Sequence, residues 1–136
     1  MPKVFLAGTK NSNWREKLIP TLRISHFNPY SSEESPEFQA RVDHEFANCD
    51  YILFVITPGM DGYKDILSLQ AETQVRPKKI IFCHIGEEVY NKGHIVRTFT
   101  QEQIASLSEL GRTVKRNGGV YLGDIASVSQ LLNSKA

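Results

Sequence analysis

Carboxylates carry the clearest chemistry in this chain. Asp61-Gly62 follows directly on the apolar run Tyr51-Ile52-Leu53-Phe54-Val55-Ile56 and the break Thr57-Pro58-Gly59, where an acid can reach a bound ligand and the glycine admits it closely. Asp65 and Glu72 come next, seven apart and so near one face of a helix, with Ser68 between them. A carboxylate in such a place can attack an anomeric carbon or stabilise an oxocarbenium-like centre. The same residues have ordinary uses, Asp65 as a helix cap and Glu72 as a surface charge. Asp43 neighbours Val42 on an apolar helix stripe and either reaches inward or stays solvated. Asp50 stands at the entry to the apolar run, which suits a structural role.

Two polar turns could hold a ligand beside these acids. Gly8-Thr9 ends the run Lys3-Val4-Phe5-Leu6-Ala7, so the backbone there can approach a ligand or simply turn. In Asn28-Pro29 the proline holds the asparagine extended and fixes its amide, which suits a sugar hydroxyl or base edge and equally a common turn. Neither a G-x-G-x-x-G nor a Walker pattern is present, so no dinucleotide or triphosphate cradle is predicted. His26, His44, His84 and His94 share no ligand spacing with one another or with Cys49 and Cys83, so no metal is expected. No Ser or Cys occupies a nucleophile elbow, which disfavours acyl transfer.

These residues need elements to place them. Lys3 to Ala7, Ile24 to Asn28, Tyr51 to Ile56, Lys79 to Ile85 and Val120 to Leu122 read as strands, the third of them central. Asn13 with Glu16 gives a helix start before Trp14, Leu18 and Leu22, and Pro20 ends or kinks that helix near Ile19. Ser35-Pro36 starts a second helix with Phe38, Val42 and Phe46 on one stripe. A third runs from about Asp65 to Val75. Gly86 to Thr98 reads as a long loop, Thr100 with Gln103 caps a fourth helix ending at Asn117-Gly118-Gly119, and Asp124 caps the last. Alternating strands and helices predict an α/β single-domain three-layer sandwich with a mostly parallel, flavodoxin- or Rossmann-like sheet of about five strands. Ligands of such sheets bind beyond the carboxyl ends of the strands, which draws attention to the loops 8–13, 28–35 and 57–65.

Composition narrows the partners. The chain has 136 residues, with 16 Lys+Arg against 15 Asp+Glu and a net charge of +1, so one domain is expected and polymeric nucleic acid is not. No apolar stretch approaches the roughly 20 residues of a membrane span, and Met1-Pro2-Lys3 leads into a strand rather than a signal peptide. Cys49 and Cys83 lie in apolar segments and are expected as buried free thiols, which fits a reducing cytoplasm.

Together the segments Phe5-Leu6-Ala7-Gly8-Thr9, Asn13-Trp14-Arg15, Phe27-Asn28-Pro29, Asn48 to Phe54 and Thr57 to Gly62 resemble the nucleoside 2-deoxyribosyltransferase-like proteins, over roughly the first 85 residues. The resemblance implies a flavodoxin-like sheet and cleavage of the N-glycosidic bond of a nucleoside or nucleotide. In that family a glutamate near the start of the third helix holds the deoxyribosyl group and passes it to another base or to water, with aspartates assisting. Assistance would fall to Asp61, with Asp43 as a further candidate. Reckoned back from Pro77, the family's glutamate position lies near Ser68 to Gln70, so Glu72 and Asp65 are the nearest carboxylates to serve as nucleophile. Gly8, Thr9, Asn13, Trp14, Asn28, Pro29 and Gly62 are the expected substrate contacts. No cofactor is implied, and assembly as a dimer or larger is. The alternative is a family member that binds a nucleotide-like molecule without turnover.

Overall fold

Alternation along the strands sets the layers. In β1 (Lys3–Gly8) Phe5 and Ala7 face one way and Val4 and Leu6 the other. The central β3 (Tyr51–Ile56) repeats this with Ile52, Phe54 and Ile56 opposite Leu53 and Val55, so both faces of the sheet are apolar and each needs a helical cover. The computed structural model describes residues 1–30, 35–90, 93 and 95–136. Outside the described residues lie His94 and part of the expected 28–35 loop.

The remaining elements are α1 (Trp14–Leu18), β2 (Ser25–Phe27), α2 (Pro36–Asn48), α3 (Lys64–Val75), β4 (Ile80–His84), β5 (Glu87–Tyr90), β6 (Ile95–Thr98), α4 (Gln101–Arg116), β7 (Val120–Leu122) and α5 (Ile125–Ser134). Strands β2-β1-β3-β4-β7 form one sheet in that order, every neighbouring pair parallel, which is the strand order of flavodoxin-like sheets. The α/β three-layer sandwich expected from the sequence is the fold. One core layer gathers Phe5, Phe27, Phe54, Phe82 and Leu107, with Phe38, Val42 and Phe46 of α2 against them. The other gathers Trp14, Leu18, Leu53, Ile81, Val128 and Leu132. Among the described residues no helix is long and apolar enough to cross a membrane. Cys49 and Cys83 are buried free thiols.

Capping chemistry explains the helix starts. The Ser35 hydroxyl accepts from Phe38 N at 3.1 Å, Thr100 and Gln103 form the reciprocal box, and Asp124 accepts from Ser127 N at 2.7 Å. Asn13 departs from expectation. It precedes α1 with φ −103° and ψ 13°, off the extended geometry that aims a cap side chain at helix amides, and it makes no cap bond. Trp14 N donates instead to Ser12 Oγ at 3.3 Å. Pro20 acts as predicted, and α1 gives way to a 3-10 turn at Ile19–Thr21.

One reading needs correction. Gly86 to Thr98, expected as a loop, contains the antiparallel hairpin β5–β6, with Glu88 opposite Arg97 and Val89 opposite Val96. Among its described side chains Val89 and Val96 are exposed while Glu88 is buried. An apolar-in, polar-out pattern therefore does not reveal it.

Candidate active site at the carboxyl edge of the sheet

In this strand order the polarity of the crossovers reverses between β1 and β3, so the loops leaving these strands diverge and leave a crevice. Two adjoining hollows of about 260 and 280 Å³ occupy it, sharing Tyr30, Lys64 and Asp65 as a common wall. The first runs down between α2 and α3, past Gln39, Asp43 and Ser68 to an apolar floor of Phe5, Ala7 and Phe54. The second opens between the β1 loop, with Thr9, Lys10 and Asn11, and the β3 loop, with Met60, Asp61 and Gly62. An apolar floor with few polar groups at the rim is the usual build of a small-molecule site.

The base of the crevice is fastened by backbone geometry. Thr9 N donates to Val55 O at 2.9 Å, and Thr57 N donates to Thr9 Oγ1 at 2.9 Å, so the Thr9 hydroxyl joins the two loops. Gly8 adopts φ +112° beside β3, and a Cβ there would stand 2.2 Å from Val55 O. Close approach of two strands, rather than of a ligand, is what requires this glycine.

Arg15, which sequence reasoning did not single out, lies under this turn. Only 6% exposed, its guanidinium donates to Thr9 O at 2.7 Å and to Leu6 O at 2.8 Å. It is held between the rings of Trp14, at 4.2 Å, and Tyr30, at 4.5 Å. Burial lowers its pKa to about 10, partly offset by Tyr30 and Asp65, so it remains a cation at neutral pH. The sequence signal was its position three before Leu18, on the inward stripe of α1. Tyr30, also missed, is aimed by the residue the sequence did flag: Asn28 Oδ1 accepts from Tyr30 N at 3.0 Å, an Asx turn that the proline between them keeps rigid.

Asp65 sits in the first turn of α3, half-buried in the shared wall. Among the described residues no hydrogen-bond donor reaches its carboxylate. Burial raises its pKa, and the Arg15 and Lys64 charges oppose that rise. The Tyr30 phenol is likewise held above its ordinary value, first by burial and then by the Asp65 charge. Asp43 lies across the hollow on α2, its Oδ1 accepting from Gln39 Nε2 at 3.0 Å. Asp61 is exposed on the rim, beside Gly62 at φ +115°.

The crevice thus brings together Thr9, Pro29, Asp43, Asp61, Gly62 and Asp65. Five other expected residues stand apart, Gly8 among them because its close approach is to β3. Glu72 lies two turns beyond Asp65 along α3, and its Oε2 accepts from Arg76 Nε at 2.6 Å while Arg76 also donates to Phe46 O. Trp14 is buried beneath the β1 turn with its indole N–H donated to Thr9 O at 3.0 Å. Asn13 faces a separate hollow of about 400 Å³ between α1, the end of β4 and the start of α5, together with His84 and Asp124. Asn28 acts through Tyr30. Among the described residues no group of three His, Cys, Asp or Glu side chains could hold a metal ion.

Comparison with family models, curated proteins and solved structures gave no match. The chemistry of the crevice therefore rests on its own residues.

Proposed function

We propose that this protein breaks the N-glycosidic bond of a nucleoside or nucleotide and passes the glycosyl group to a second base or to water, with Asp65 as the nucleophile. The observation that carries this reading is the half-buried Asp65 carboxylate, bare of hydrogen bonds from the described residues and flanked by Arg15 and Lys64. Burial strips such a carboxylate of solvent and raises its pKa, and the Arg15 and Lys64 charges oppose that rise, an environment suited to a nucleophile. Attack of a carboxylate oxygen on C1′ forms an ester-like C–O bond as the C1′–N bond breaks, and the electron pair leaves on the base nitrogen. The departing base nitrogen takes up a proton from solvent, and Asp61 at the rim is the carboxylate placed to orient that exchange. Water or an incoming base then displaces Asp65 from C1′. The apolar floor of Phe5, Ala7 and Phe54 suits the flat face of a base, and Asp43 with Gln39 suits hydroxyl recognition.

Incubation with deoxynucleosides, ribonucleosides and their monophosphates, with and without an acceptor base, tests this. Released or exchanged base is expected from the native chain and absent from Asp65→Asn. Turnover undiminished in Asp65→Asn would refute the assignment.

A second reading is binding without turnover. Ser68, within the stretch Ser68 to Gln70 where the resemblance puts the family's glutamate, faces the crevice, while Glu72 is engaged by Arg76. Recovery of an unchanged nucleotide from a tight complex would favour it.

A further inference from the structure

The β5–β6 hairpin lies outside the main sheet, and its first strand is inverted: Glu87 and Val89 are exposed, whereas Glu88 between them is only 5% exposed. A buried carboxylate is costly unless donors surround it. Two of them come from separate loops. Glu88 Oε2 accepts from the Ser12 hydroxyl in the β1 loop, and Glu88 Oε1 accepts from Gly59 N in the β3 loop at 3.3 Å. These loops carry Lys10 and Asn11 on one wall of the crevice and Met60, Asp61 and Gly62 on the other. Ile85 N, which leads into the hairpin, donates to Ile56 O of β3 at 3.0 Å, and Phe99 N donates to Gly86 O at 3.0 Å across the hairpin's own base, so Glu88 projects from a fixed base.

We infer that Glu88 is a positioning residue that sets the spacing of the two loops bounding the crevice. The Thr9–Thr57 bond joins them at the base, next to the strands. Glu88 joins them farther out, where Ser12 leads into α1 and Gly59 leads toward α3 and Asp65. Two fastenings at different heights fix an angle as well as a distance. With Glu87 and Val89 exposed, the bonds of Glu88 to Ser12 and Gly59 favour the face of β5 that points inward. Its consequence for turnover rests on the function proposed above; its structural content does not.

The test uses the full chain and the variants Glu88→Gln, Glu88→Ala and Ser12→Ala, with folding followed by circular dichroism and amide hydrogen exchange read residue by residue. Glu88→Ala is expected to raise exchange about tenfold or more across residues 9–13 and 57–62 while leaving α4 and β7 unchanged. Glu88→Gln, whose carbonyl can still accept from Gly59 N and whose amide can donate to Ser12, should recover most of the protection. Ser12→Ala removes one leg and should loosen residues 9–13 first, which keeps the inference testable if Glu88→Ala does not fold. Unchanged exchange in both loops would overturn it, as would an equal rise throughout the core strands. Where the native chain turns a nucleoside over, kcat should fall more than KM rises in Glu88→Ala, with rescue by Glu88→Gln. A native chain with no turnover refutes the proposed function and leaves the exchange result to decide the role of Glu88.

Discussion

Arg15→Met removes the charge beneath the crevice while keeping an unbranched apolar stem of similar reach. Two effects oppose each other. The short bonds from the guanidinium to Thr9 O and Leu6 O are charge-assisted, and such bonds contribute about 1.5–3 kcal/mol each, or roughly 3–6 kcal/mol for the pair. Against them stands burial, which lowers the Arg15 pKa from 12.5 to about 10 and so corresponds to about 3 kcal/mol of penalty on the charged form. Thr9 O also keeps a second donor in Trp14 Nε1, which limits the loss at that carbonyl. The two rings that sandwich the guanidinium lose their cation. The bonds win by a modest margin, and the variant should be less stable by about 2 kcal/mol, a fall in Tm of roughly 5–10 °C for a domain of this size.

The same substitution should move Asp65. Arg15 is the foremost charge opposing the burial-driven rise in that carboxyl's pKa, so its removal lets the pKa climb further above 3.8. Scanning calorimetry gives the first quantity, and carboxyl-carbon NMR across a pH titration of native and variant proteins gives the second. A folded variant whose Asp65 titrates unchanged or at lower pH would refute the electrostatic link on which the nucleophile assignment depends. A higher Tm would show that desolvation, not hydrogen bonding, dominates at Arg15.

Asp65→Asn should cost at least about a thousandfold in turnover yet raise Tm at neutral pH. Because the folded carboxyl has a raised pKa, the native state holds its proton more tightly, stability falls as pH rises from 3.8 through the folded value, and the advantage of the variant should vanish in acid, as thermal scans across pH would show. Glu72→Gln should retain turnover and lose about 1 kcal/mol of stability with its Arg76 pair, measured by urea unfolding; loss of turnover with the fold intact would return the nucleophile to Glu72. Gly8→Ala should destabilise by about 3 kcal/mol or more, because the new Cβ meets Val55 backbone rather than a movable side chain, and a Tm near native would contradict that geometry. His84 is held below its ordinary 6.5 by burial, so stability should fall as pH drops from 6.5 through the folded value; His84→Gln should flatten that part of the Tm profile.

The sheet was legible because its pattern is redundant. Tyr51 to Ile56 is apolar throughout, Pro20 stops α1, and Thr100 with Gln103 caps α4, each a local signal pointing to the same topology. The hairpin escaped because a glutamate, Glu88, is buried where its valines are exposed, and that glutamate bonds to Ser12 and Gly59, distant in sequence. Arg15 escaped for a related reason. A charged side chain in a first helical turn ordinarily points to solvent, and only the backbone carbonyls of Leu6, Gly8 and Thr9 converging below α1 make burial possible. Side chains fixed by carbonyls of another segment leave little local imprint.

Spacing along α3 decides between the two carboxylates that the sequence left open. Asp65 and Glu72 are seven residues apart, which puts them on nearly the same face but about 10.5 Å apart along the axis at 1.5 Å per residue. Since α3 runs from the carboxyl edge of β3 back toward the start of β4, its first turn stands at the ligand edge and Glu72 stands far down the sheet. There Arg76, one turn on, engages its carboxylate, and the same guanidinium reaches the end of α2 at Phe46 O. Bringing Glu72 into the crevice would require α3 to slide by nearly two turns, withdrawing Leu69 and Thr73 from their buried positions. Glu72 is thus a fastening between α3 and α2, and of the two carboxylates only Asp65 lines the crevice, where the proposed nucleophile must stand.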